Sequence, residues 1–413
     1  MTKLLLAATS VDVTPPPGHR LDGYAARTGL ATGAAEPLRA TMIWLSTADD
    51  PGVLWLTLDG IAVGNDLHTE LAAAASAAAA IPPSRVVVSA SHTHSGPSGW
   101  TGEIHPVIPA EREPCLVDAL TSSVRWARLE RRPATASWRS IEVIGVGTNR
   151  HRRNGPHDNT AGILALHSPE GSLQAVLLDF ACHPTTYGPE NLQYSADWPG
   201  AARAALAPAV FGYLQGAAGD VSPRFTRQGR GAAEVARLGG LLASRVRAAL
   251  AGPGLDLPQS APAIRRTTLD LKVRDIPSAA EAAELVVAAE GRVNGNDDPC
   301  GRIAQTRLDG ARGQARMAAA ALPDSLALPI SVVTMGDVCW VNLPVELFAV
   351  HGTRLQAGST HPVTRVVGYT DGYYGYVVDL SAAESGAYEA LITYFDQPTT
   401  NQLLSQTTAF MNS

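Results

Sequence analysis

Two histidines at i and i+2, His92 and His94, stand in Ser91-His92-Thr93-His94-Ser95-Gly96-Pro97, directly after the apolar run Arg85 to Ser91. On an extended chain such residues share one face, so both imidazoles are expected to aim into one pocket at a strand end. That pattern suits metal binding or acid–base chemistry; the plain alternative is a polar turn with two surface histidines. A third histidine, His183, ends the run Asp179-Phe-Ala-Cys-His183-Pro184-Thr185, where Pro184 stops the strand. Alone it would read as a hydrogen-bonded core residue; beside the His-x-His pair it becomes a third candidate ligand. Gly219-Asp220-Val221-Ser222-Pro223 holds Ser222 on a tight turn, which by itself is only a turn. No Gly-x-Ser-x-Gly elbow occurs, so the nucleophile of a standard α/β-hydrolase is not supported. In Asn342-Leu-Pro344-Val-Glu346, Pro344 suits the first turn of a helix, which would set Glu346 at a helix N-terminus. Zinc accepts imidazole nitrogen and carboxylate oxygen, and a catalytic zinc keeps one position for water. Two or three histidines and one glutamate on separate elements therefore make a candidate catalytic metal site.

The elements that must position these residues alternate between β-branched runs and Ala-rich stretches. Val53 to Asp59 and Arg85 to Ser91 read as buried strands around a helix over Asp66 to Ala80 that Pro82-Pro83 stops. Helices are also predicted over Glu113 to Leu129, Ala201 to Leu206 and Ala232 to Leu250. Strands are predicted over Ile163 to His167, Leu173 to Ala181, Val210 to Leu214 and Ile264 to Val273. Ser278 to Glu290 and Arg302 to Ala321 form a helical pair, Val332 to Leu343 a hairpin, and Glu346 to Leu355 a helix. The fold class is α/β, with mixed β-sheet layers and helices packed around them. No repeat or linker divides residues 1–413, which read as one domain; the loop Asn294 to Cys300 is the best site for a weak break.

The chain has 413 residues, 45% hydrophobic and 17% charged, the composition of a globular protein with a large core. Its net charge is −6, so no basic surplus exists to neutralise phosphates and nucleic acid is excluded as an expected partner. The four cysteines, Cys115, Cys182, Cys300 and Cys339, form no CxxC pair and read as small buried residues. The apolar start is too short for a signal peptide and reads as a first strand; no segment reaches a membrane span, so no stable membrane anchor is expected and the cytoplasm is the simplest location.

Several of these segments together resemble the motifs of the neutral, non-lysosomal ceramidase family. They are Asp12-Val-Thr-Pro-Pro, Ser-His-Thr-His-Ser-Gly-Pro, Gly147 to Arg150 (GTNR), His183-Pro-Thr and Gly-Asp-Val-Ser-Pro, followed by Leu343 to Glu346 and the tyrosine-rich stretch Gly368 to Val378 with Tyr388-Glu-Ala beyond it. They run in family order over nearly the whole chain. The resemblance implies a neutral-ceramidase-like catalytic domain, Zn2+ as cofactor, and hydrolysis of an amide by metal-activated water. It implies metal ligands at His92, His183, Glu346 and Tyr376, with Tyr373 and Tyr374 as neighbours that compete for the tyrosine assignment. It places His94, Arg150, Ser222 and Tyr388 around the amide, Ser222 as either nucleophile or positioning hydroxyl. Asp197 and Asp220 are either carboxylates that orient histidines or helix caps.

The sequence departs from the family in places. It leaves no room for the family's C-terminal immunoglobulin-like β-sandwich, and SGPSGW, SPR and EALITYF replace family residues near the expected pocket. A small soluble amide is thus as natural a substrate as a sphingolipid. The same chemistry would serve an esterase, lactonase or peptidase. A metal-free serine hydrolase using Ser222 and a non-catalytic zinc-stabilised binding protein are the further alternatives. The sequence is silent on oligomeric state.

Overall fold

A computed structural model describes residues 3–101, 112–206, 210–294, 302–320 and 322–413. Three mixed sheets form its framework. The first has strand order Val86–Ala90, Val53–Leu58, Arg39–Ser46, Leu5–Asp12 and Arg132–Pro133, with only the Val53–Leu58 and Val86–Ala90 pair parallel. The second runs Val210–Gln215, Leu173–Phe180, Thr160–His167, Thr135–Glu142 and Leu255–Asp256, again with one parallel pair, Leu173–Phe180 with Val210–Gln215. The third runs Ala263–Lys272, Ser325–Met335, Val338–Asn342 and Val363–Val367, its last pair parallel. The inner strands are mostly apolar because both faces are covered. Val53–Leu58 and Val86–Ala90, for example, are buried at every residue.

All three sheets meet in one core. Ile43, Trp55 and Val87 of the first, Trp138, Leu164 and Leu177 of the second, and Val333, Trp340 and Val367 of the third belong to a single buried cluster. Trp340 is its centre, packed edge-on against Trp55 and Trp138 at centroid distances of 5.9 and 5.4 Å. A second cluster seats the helices Asn65–Ala79, Pro114–Arg125, Asp197–Leu206 and Ala232–Leu250 on the first two sheets. Helix Asn65–Ala79 buries Leu67, Leu71, Ala74 and Ala75 and ends where Ala80 turns left-handed (φ 54°), just before the two prolines.

The elements expected from periodicity are present. Ala232–Leu250 matches to the residue, and the hairpin resolves into Ser325–Met335 and Val338–Asn342. The helical pair Ala279–Asn294 and Arg302–Ala319 is also formed; the proposed weak break between its helices lies mostly outside the described residues. One assignment is corrected. Glu346 does not begin a helix: Glu346–Leu347 is a short strand, and the helix starts at Ala349. The Pro-x-Glu signal is local, whereas Glu346 N donates to Gly375 O at 2.8 Å, a partner the local sequence does not reveal. Cys182 and Cys339 are buried as expected; Cys115 instead faces solvent on its helix, and Cys300 lies outside the described residues.

Candidate metal centre

The three histidines arrive from strand ends on two different sheets. Strand Val86–Ala90 stops two residues before His92, so the pair does not share a face by strand alternation, as its spacing had suggested. Instead His92 takes a left-handed φ of 66°, with its N–H held by Gly60 O at 2.8 Å. This turn brings His92 and His94 together, their rings 4.9 Å apart. His183 follows strand Leu173–Phe180, its N–H donating to Val221 O at 2.9 Å. Among the described residues the other left-handed non-glycines are Ala80, a helix cap, Asp197, which opens helix Asp197–Leu206, and Tyr369 and Asp371 in the tyrosine-rich segment, where the Tyr369 ring stands 4.2 Å from that of His92. Strained backbone persists where surrounding contacts over-determine it, and it gathers at functional sites.

Each ring is oriented by a main-chain carbonyl. His92 Nδ1 lies 2.7 Å from Ile61 O, His94 Nδ1 2.9 Å from Gly23 O, and His183 Nδ1 2.7 Å from Ala218 O. A carbonyl only accepts, so every Nδ1 must carry a proton, and in a neutral ring the Nε2 is left to present a lone pair. Those Nε2 atoms face one another. The side-chain nitrogens of His92, His94 and His183 fall within 4.8 Å of one another. His92 Nε2 is 3.3 Å from His94 Nε2 and 3.3 Å from Glu346 Oε2, which is also 3.3 Å from His183 Nε2. Neutral imidazoles with Nδ1 protonated have nothing to donate across these gaps. Lone pairs converging out of water call for positive charge between them, a proton, a guanidinium or a metal ion. Bonds of about 2.05 Å to a tetrahedral ion would set neighbouring ligand atoms about 3.3 Å apart. The residues therefore fit a metal ion, and the histidine trio can bind one.

Glu346 and Tyr376 are register partners in a short parallel ladder. Burial alone would raise the Glu346 carboxyl; His92 and His183 beside it override this and hold it well below the usual carboxylate range. Tyr369 donates to Glu346 Oε2 at 3.1 Å and Tyr373 to Oε1. The competing tyrosines are thus separated. Tyr374 turns away to Ala327 O, Tyr369 and Tyr373 hold the carboxylate, and the Tyr376 hydroxyl receives Arg150 Nη2 at 3.4 Å. Burial lowers the His94 and His183 imidazoles, His183 to about 4. Both are neutral at pH 7, the form a metal or a general base requires.

Arg150 Nη1 also lies 3.2 Å from His183 Nε2, while its Nε donates to Glu389 Oε1 at 2.8 Å. Glu389 is buried and accepts from His151 as well, at 3.1 Å. Burial opposes its charge, but Arg150 and His151 hold its carboxyl down at about 2. Tyr388, one residue before it, packs edge-on against Tyr376 at 6.3 Å, and burial pushes its hydroxyl well up. Ser222 lies on the two-residue ladder that pairs with Thr148–Asn149, next to Arg150. Its Oγ accepts from Arg224 N at 3.3 Å and, among the described residues, bonds no histidine. The two aspartates are backbone caps. Asp197 accepts from Thr186, Tyr187 and Trp198 N–H groups, and Asp220 accepts from Ala349 N and from the Asn149 amide. Orienting the histidines falls to carbonyls instead. Glu389 and Tyr369 are residues of the site that sequence reasoning passed over, while Tyr373, a rival for the tyrosine ligand, holds the Glu346 carboxylate instead. The available signal was the place of Tyr369 in the tyrosine-rich stretch and of Glu389 directly after Tyr388.

No protein-family model matches the sequence, and no curated protein matches it. Solved structures do. A neutral ceramidase from Pseudomonas aeruginosa superposes with a TM-score of 0.75 at 16% identity, over 100% of this chain and 75% of that one. A ceramidase complexed with C2 superposes with a TM-score of 0.76 at 15% identity, over 99% of this chain and 74% of that one. This protein has the fold of the neutral ceramidases.

Proposed function

We propose that this protein is a zinc-dependent hydrolase that cleaves a non-peptide N-acyl amide. The observation that carries the proposal is the convergence of three Nδ1-anchored imidazoles and one carboxylate with 3.3 Å edges. The fold shared with ceramidases supports the choice of an amide. His92, His183 and Glu346, with Tyr376 on the neighbouring strand, would hold the metal, and His94, though near enough to join them, would keep its Nε2 for proton transfer. When bound, a zinc ion supplies Lewis acidity and lowers the pKa of water to about 7.

The chain's own groups do the rest. Water adds to the carbonyl carbon, the C–N bond breaks, and a carboxylate and an ammonium leave, the second water proton passing from the acid to the amine. His94, kept neutral by burial, takes a proton from the water and returns it to the departing nitrogen. Tyr388 keeps its proton and donates to the developing oxyanion. Arg150, clamped by Glu389, supplies a fixed positive charge beside His183. Ser222 positions the substrate: without a histidine on its hydroxyl it has no base to make it a nucleophile.

The test is to incubate metal-loaded protein with long-chain ceramide, short N-acyl amides, esters and peptides, with and without chelator, and to detect released acid and amine by mass spectrometry. Chelator-sensitive release of acid and amine from an amide is the expected result. Ester cleavage with no amide cleavage overturns the amide assignment. Turnover that chelator leaves intact overturns the metal.

A further inference from the structure

The segment Asp22-Gly23-Tyr24 lies directly over His94. Gly23 O accepts from His94 Nδ1, and the Tyr24 ring stands 5.1 Å from the His94 ring. On its outer side this segment walls a cleft of about 360 Å3 whose opposite wall is helix Arg302–Ala319, through Gln305, Asp309, Arg312 and Arg316. That helix also approaches the catalytic side, since a Cβ at Gly310 would lie 3.5 Å from the Tyr388 ring. The segment and the helix that wall the cleft are therefore the ones that touch His94 and Tyr388, the two residues between which the amide is proposed to react.

Asp22 is the unusual member of its lining. It is 1% exposed, and neither carboxylate oxygen has a hydrogen-bond partner among the described residues. Arg27, the nearby cation, spends its guanidinium on three carbonyls: Asp22 O at 2.6 Å, His94 O at 2.9 Å and Gly188 O at 3.3 Å. The main chain of Asp22 is fixed from both ends, by Gly96 O and by Arg27. A buried carboxyl with no donor is costly, and this one is held rigidly where it lines the cleft. At the rim, Arg20 is exposed, and Arg312 pairs with Glu290 at 2.9 Å.

Resting on the amidase reading, we propose that this cleft is the specificity subsite and that Asp22 is its selecting residue. The substrate then carries, beside the scissile amide, a hydroxyl or ammonium group that donates to Asp22 and an anionic group that meets Arg20 at the rim. It is an N-acyl amino acid or an amide of similar polarity. Arg27 acts through the loop and is a positioning residue.

Four probes test this: N-octanoyl-serine, its O-methyl ether, its methyl ester, and N-octanoyl-sphingosine. Wild-type protein should cleave N-octanoyl-serine with kcat/KM at least about tenfold above the ether and the ester, the scale of one lost hydrogen bond at a buried polar group. Asp22→Asn should erase the preference over the ether, and Arg20→Ala the preference over the ester. Equal cleavage of all four probes, or a preference that survives Asp22→Asn, overturns the proposal while leaving the amidase reading standing. If no amide is cleaved, that reading fails instead, and calorimetric binding of N-octanoyl-serine decides the cleft. Binding lost in Asp22→Asn upholds the subsite; no binding, or binding the variant retains, overturns it.

Discussion

Glu346 and Tyr376 face each other as direct partners in a parallel ladder that contains only two residues from each strand. Register partners project to the same face, so this ladder alone sets the carboxylate and the phenol on one side of the site. Glu346 then lies 3.3 Å from both His92 and His183. Glu346→Gln keeps the volume but removes the charge that the imidazoles need across a metal. Its metal affinity should fall by at least about a hundredfold, more than the loss of an outer partner usually costs. Titration against a fluorescent chelator measures it, and wild-type affinity in the variant would remove Glu346 from the ligand set.

Gly23 lies against the His94 side chain, its carbonyl 2.9 Å from Nδ1. Its φ is +101°, and a Cβ there would lie 2.5 Å from His94 Cβ and Cγ. Gly23→Ala must displace the imidazole and strain a backbone that only glycine adopts readily. Unfolding free energy should drop by about 1 kcal/mol or more, and activity should drop much further, because His94 loses its carbonyl anchor. Denaturant unfolding and kcat read the two effects separately; full activity in a folded variant would show that the orientation of His94 does not matter.

Arg150 and Glu389 form a nearly enclosed ion pair, with side chains 19% and 4% exposed. Replacing Glu389 by Gln leaves the guanidinium without its counter-charge, a change that costs about 3 kcal/mol in such settings. Arg150→Met combined with Glu389→Leu should recover most of that stability while remaining inactive. Recovery of activity in the double variant would show that the charge of Arg150 serves only the fold.

Asp371 anchors the loop that carries Tyr369 and Tyr373 to Glu346. Its carboxylate accepts from Val88 N at 2.8 Å, Arg266 Nη1 at 2.7 Å and Ser331 Oγ at 3.1 Å. Burial would raise this carboxyl, but Arg266 and His68 hold it at about 2, below its ordinary value of 3.8. A depressed carboxyl contributes stability that is present above pH 3.8 and lost as pH falls through about 2. Between those values the wild type should lose about 2 kcal/mol that Asp371→Asn lacks throughout. Chemical denaturation of both proteins from pH 5 to pH 2 checks it; parallel curves would contradict the assigned ion pairing.

Local pattern was enough to place the strands that end at the histidines. Runs such as Val86–Ala90 and Ala175–Phe180 are mostly apolar because they are buried on both faces, and prolines mark where helix Asn65–Ala79 must stop. The histidines and Glu346 were also legible, because each is a polar residue close to an apolar run. What the sequence could not decide was how these residues meet. His92 and His94 converge through a left-handed turn at His92 held by Gly60 O, not through strand alternation. Glu346 is a strand residue because Gly375 and Tyr376 pair with it, against a local signal for a helix start. The orienting carbonyls of Ile61, Gly23 and Ala218 carry no side-chain signature at all, and Glu389 gains meaning only once folding sets it on Arg150. Burial and short-range period are written in neighbouring residues, whereas long-range backbone pairing depends on which distant segments the packed sheets bring together.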